Sequence, residues 1–73
     1  MDDLESVELR PSIEEALQAI SPDYRAAVVL SDIHGLAIEE ISDALEIPAG
    51  TVKSRVFRGR RQLAEILGNT REL

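Results

Sequence analysis

The sequence predicts an all-α fold, a small four-helix domain, and three observations predict it. Apolar residues make up 44% and charged residues 30% of only 73 residues, the balance of a folded chain with one small core. Apolar positions recur at helical spacing, and no run alternates as a strand would. Ser12, Ser21-Pro22, Gly35, Pro48 and Gly68 fall where helices start and stop. Only Tyr24 and Phe57 are aromatic, so the core must be built from Leu, Ile, Val and Ala.

Residues 1–11 are acidic, lack an apolar period and end in Arg10-Pro11, and read as a linker or frayed terminus. The folded domain is expected over 12–67, with a tail at 68–73. Ser12-Ile13-Glu14-Glu15 has the spacing of a capping box, so the first helix starts there. Its stripe Ile13, Ala16, Leu17 and Ile20 must pack on something. Ser21-Pro22 restarts the chain with an N-cap and a first-turn proline. This second helix is expected from Pro22 to Ile33, and its centre, 26–30, is apolar almost all round, which makes it the most buried of the four. Gly35 ends it.

A third helix is expected from Ala37 to Leu45, with Ile38, Ile41 and Leu45 inward and Glu39, Glu40 and Asp43 in solvent. Glu46-Ile47-Pro48 breaks it. A fourth helix opens near Ala49 or Gly50 and runs to Leu67, where Gly68-Asn69 supplies a stop. Ile41, Leu45, Ile47 and Val52, with small Ser42 and a three-residue break, are spaced as in a helix-turn-helix. In that motif the second helix is held proud, so that it can enter a major groove. An ordinary helical hairpin shares much of this spacing.

Charge is divided along the chain. Residues 1–50 carry twelve acids against two bases, a balance of −10, whereas 51–73 carry six bases against two acids, a balance of +4. Five bases and no acid lie between Lys53 and Arg61. On a helical wheel, Val52, Val56, Gly59, Leu63, Ile66 and Leu67 share one face. Ser54, Phe57, Arg58 and Arg61 lie opposite, flanked by Lys53, Arg55 and Arg60. Arginine can grip guanine in a fork, Lys and Ser reach base edges or phosphates, and a ring can pack on a thymine methyl. Thr51 and the open amides at the helix start suit a phosphate. Phe57 on a charged face points to a ligand; the alternative is that it leans back over the core or meets a partner protein.

With no cysteine there are no disulfides, thiolate metal sites or thiol nucleophiles, as expected of a cytoplasmic chain. No apolar run is long enough to insert in a membrane, and the acidic N-terminus is unlike a secretory signal. The lone His34 has no nearby co-ligands, so no metal or other cofactor is expected, and no enzyme motif is present.

The segment Ile47-Pro48-Ala49-Gly50-Thr51-Val52-Lys53-Ser54-Arg55-Val56-Phe57-Arg58-Gly59-Arg60-Arg61-Gln62-Leu63 resembles region 4 of the extracytoplasmic-function (ECF) bacterial sigma factors. Ser21 to Leu30 and Asp32 to Leu36 resemble the preceding family segments, so the similarity covers about 12–67. The resemblance implies a monomeric domain that reads the minus-35 promoter element in double-stranded DNA, docks on the β-subunit flap of RNA polymerase, and is a candidate for capture by an anti-sigma factor. Lys53, Ser54, Phe57 and Arg58 would face bases; Thr51, Arg55, Arg60 and Arg61 would lie nearer phosphates.

Three positions depart from the family pattern: Ala37 stands where a Ser or Thr cap is usual, Ile38 where an aromatic is common, and Glu46 where the turn often has Gly. A left-handed residue at Glu46 would cost ~1 kcal/mol. The region that melts the minus-10 element is absent, so the chain reads as a C-terminal domain cut from a longer protein. Two other classes compete: a protein-docking module whose main partner is an anti-sigma factor, and a LuxR-type effector domain, which would dimerise.

Overall fold

The computed structural model describes residues 11–68 and is built of four helices with no strand among them. The linker expected at 1–11, Pro11 apart, the Asn69 stop signal and the rest of the tail lie outside the described residues. Helix α1 spans Ile13–Ala19, opened by the expected capping box. The Glu15 amide donates to Ser12 Oγ at 3.1 Å, and the Ser12 amide to Glu15 Oε1 at 3.0 Å. Its other end is closed from outside, since Arg25 donates from Nε to the Leu17 carbonyl at 2.8 Å and from Nη2 to the Ile20 carbonyl at 3.1 Å. A cation on the last carbonyls of a helix satisfies orphan acceptors and meets the negative end of the dipole. That pins α1 to α2.

Helix α2 spans Pro22–Val28, with Ser21 accepting from the Tyr24 amide at 3.3 Å. The expected unbroken helix to Ile33 is corrected here: from Val29 to Ile33 the chain widens into a π-helical turn. The His34 amide reaches the Val29 carbonyl at 3.0 Å, five residues back, and the Leu36 amide reaches Leu30 at 3.0 Å. Gly35 at φ 72° allows the reversal. The wide turn leaves Val29 and Leu30 half-buried and Ile33 exposed, so burial in this segment centres on Ala27 and Val28.

Helix α3 spans Ile38–Leu45, starting one residue later than expected because Ala37 is its N-cap. Ala37 has no side-chain acceptor to offer, but the reciprocal half of the box survives, as its amide donates to Glu40 Oε1 at 2.7 Å. Glu46 is left-handed, at φ 59° and ψ 48°. Ser42 locks this turn: its carbonyl accepts from the Glu46 amide and from the Ile47 amide at 3.1 Å, and its hydroxyl donates to the Ile47 carbonyl. Helix α4 spans Ala49–Ile66, one residue short of the expected end.

Two apolar clusters hold α4. Ala27, Ile41, Val52 and Val56 form one, with Leu30, Leu36, Ile38, Leu45 and Ile47 around it. Ala16, Leu17, Ile20, Val28 and Leu63 form the other, joined by Tyr24, Ile66 and Leu67. Between them α2 and α4 cross at Gly59, where a Cβ would lie 2.6 Å from Val28 Cγ2 and 3.3 Å from the Tyr24 carbonyl oxygen. Glycine in mid-helix costs ~1 kcal/mol of propensity, which this close approach explains. Ile13 departs from its stripe: it is 56% exposed, while Ala16, Leu17 and Ile20 are buried.

Candidate nucleic-acid interface

The site is a helix face, and its geometry starts at the turn. Ser42 and Glu46 fix the exit from α3, and Pro48 caps α4 with its carbonyl, accepting from the Thr51 and Val52 amides at 3.0 and 3.1 Å. No side chain caps this end, so the Ala49 and Gly50 amides keep their hydrogens for an outside acceptor. The first turn of α4 holds no acid. Partial positive charge at the helix start therefore adds to the side-chain charge that follows.

Val52, Val56, Gly59 and Leu63 are buried along one side of α4, as the wheel requires. Lys53, Ser54, Phe57, Arg58, Arg60 and Arg61 are exposed, while Thr51 and Arg55 are half-buried at the edges. Phe57 is 61% exposed, so it does not lean back over the core. Arg61, one turn on, places its guanidinium carbon 6.0 Å from the centre of that ring, at the outer reach of a cation–π contact. Arg58 and Arg61 also line a shallow open recess with Tyr24, Gln62 and Glu65, which brings α2 to the edge of the basic face.

The cations fall into two groups. Lys53, Arg58 and Arg61 have no acidic partner among the described residues, while Arg55 and Arg60 do. Arg55 Nη2 lies 3.9 Å from Asp23 Oδ2, a long contact to a well-solvated carboxylate and a weak one. Arg60 is held far more firmly. It donates from Nε to Asp32 Oδ2 at 2.9 Å and from Nη2 to Asp32 Oδ1, a two-pronged fork. The fork holds the Asp32 carboxyl below its ordinary range and raises the Arg60 guanidinium, each chiefly through the shared hydrogen bonds. A carboxyl so lowered stabilises the fold above its unfolded pKa, and that contribution is lost as acid protonates it.

Sequence reasoning put all eight interface candidates on α4, and the structure gathers them there, with six exposed and two at the edges. It missed Asp32, Tyr24 and the capping role of Arg25. Asp32 is 28 residues from Arg60, and the acid excess of residues 1–50 was the one available hint that some bases would be paired.

A short helix, a locked turn and a protruding cationic helix make this a helix-turn-helix domain. The chain belongs to the family described as Sigma-70, region 4, which matches residues 10–63. It is 49% identical over 59 residues to the ECF RNA polymerase sigma factor SigE of Mycolicibacterium smegmatis, covering 81% of this chain and 23% of that protein. It is 38% identical over 58 residues to the ECF RNA polymerase sigma-E factors of Salmonella typhimurium and of Escherichia coli strain K12, covering 80% of this chain and 30% of each. The chain thus spans less than a third of the length of these curated relatives.

Proposed function

We propose that this domain recognises the minus-35 element of promoter DNA by laying α4 in the major groove, and docks on the β-subunit flap of RNA polymerase. The observation that carries the first part is the exposed face of α4 from Lys53 to Arg61, which holds no acid and where Phe57 stands in solvent between Lys53 and Arg58. A merely solvated face has no use for a bare phenyl ring, whereas a groove offers thymine methyls to it. Lys53, Ser54, Phe57 and Arg58 read bases; Thr51, Arg55, Arg61 and the open amides of Ala49 and Gly50 meet phosphates. The polymerase part is supported by the names of the relatives, RNA polymerase sigma factors. Exposed Ile13 and Ile33, away from the basic face in sequence, offer apolar surface for a protein partner. An anti-sigma factor that covers α4 would then compete with DNA.

The test is Arg58→Ala, measured against single-base variants of a duplex selected by the domain. We expect a loss of ~1–3 kcal/mol concentrated at one base position. Equal weakening on every sequence would move Arg58 to the phosphate set and remove it as a base reader.

A further inference from the structure

Among the described residues, the strongest contact not yet given a role is the fork between Asp32 and Arg60. It joins the π-helical turn after α2 to the functional helix, across 28 residues of chain. The fork engages both oxygens of the carboxylate, and Ser31 Oγ also donates to Asp32 Oδ1 at 3.3 Å. The Nε–Nη2 edge of Arg60 is the edge a guanidinium presents to a phosphate in the same two-pronged geometry. Here a carboxylate of the same chain already fills it. The pair is not packing filler: the side chains are 56% and 37% exposed, and Arg60 stands on the flank of the helix whose Lys53, Arg58 and Arg61 face solvent.

We propose that Asp32 is an intramolecular stand-in for a DNA phosphate, which keeps Arg60 out of backbone contact and lowers the affinity of the domain for all duplexes alike. The inference rests on the DNA-binding reading above and sharpens it. An Arg60 free to meet a phosphate would add one counterion-releasing contact, which strengthens binding regardless of sequence. Because Asp32 is tethered in the same domain, a phosphate must displace it to gain Arg60. The device shortens residence on unrelated DNA while leaving the preference among sequences to Lys53, Ser54, Phe57 and Arg58. Lys53 and Arg58 have no such partner, so the suppression falls on one flank and spares the reading face.

The experiment uses the 73-residue chain with two probes: a pool of mixed-sequence 20-base-pair duplexes, and a duplex selected from it by the wild-type domain. Affinity is measured over a salt series for wild type, Asp32→Ala, Arg60→Gln and the double variant, each checked for folding by a thermal melt. Asp32→Asn replaces Asp32→Ala if the latter unfolds. We expect Asp32→Ala to tighten binding to both probes and to steepen the log K against log salt slope by ~0.9, so that a fourfold rise in salt removes about 3.5-fold of the gain. The selected-to-pool affinity ratio stays within about twofold of wild type. Arg60→Gln leaves the slope at its wild-type value, and the double variant returns to it. A shallower slope for Arg60→Gln alone would place Arg60 on a phosphate already and overturn the proposal. A steeper slope that persists in the double variant would make the effect one of general charge and overturn it too, as would an unchanged slope for the Asp32 variants. Wild type that binds neither probe with any salt dependence would defeat the DNA-binding reading itself, a failure read without any variant.

Discussion

The two halves of α4 are held by different cores and, on the proposed function, do different work. The N-terminal half rests on Ile41 and Val52, both fully buried, and it alone carries the expected base-reading residues on its outer side. The C-terminal half rests on Leu63 with Ala16 and Leu17 of α1 and Ile20 just beyond it, and its outer side mixes Arg61 with Glu65. One rigid helix thus couples a reading end to an anchoring end. The more fully buried side chains lie under the proposed reading end, where a small tilt would misplace every side chain proposed to face the groove. Gly59 is the boundary, the point at which α2 crosses close enough to exclude a Cβ.

The largest effect that separates the halves comes from Ile41→Ala. Emptying a fully buried site costs ~2–5 kcal/mol, a large share of the roughly 4–11 kcal/mol such a small fold has. Urea unfolding measures the loss, and DNA affinity of the remaining folded fraction should fall as well, because α3 loses its grip on α4. Leu17→Ala is the matched control under the anchoring end: stability falls, but the folded fraction keeps its affinity. Equal effects of the two on binding would erase the distinction between the halves.

Gly59→Ala comes next. The added methyl gains up to ~1 kcal/mol of helix propensity but meets Val28 Cγ2 at 2.6 Å, and overpacking typically costs ~1–3 kcal/mol. We expect net destabilisation in a thermal melt; a rise in melting temperature would mean the crossing is looser than described. The smallest effect is a gain. Glu46→Gly removes the strain of a left-handed glutamate and should stabilise by ~1 kcal/mol, raising Tm by about 4–8 °C in a domain of this size. It does so without touching the reading face, so affinity should hold.

How much of this was legible in the sequence follows from which signals are local. Capping at Ser12 and Ser21, the break at Glu46 and the two faces of α4 are set by residues within a turn or two of one another, and each was read from the chain. The left-handed state of Glu46 was suggested only by the family resemblance, in which that turn often has Gly. The π-helical turn could not, since a segment apolar on nearly every side has no phase to lose when one residue is added. Ile13 shows the complementary gap: a stripe tells which face is apolar, not how far the partner surface extends. The Arg25 cap and the Asp32–Arg60 fork depend on where helices cross, which residues 5 and 28 positions apart do not disclose by themselves. For the candidate interface this meant that location was readable and the pairing state of its cations was not.

The central claim is that the outer face of the N-terminal half of α4 binds duplex DNA. The most direct measurement is an amide NMR titration of the domain with a mixed pool of short duplexes, at low and at near-physiological salt. We expect shifts confined to residues 49–61, weakened as salt rises. Intact spectra whose shifts centre on α1 or the turn after α2, or that show none at either salt, would contradict it.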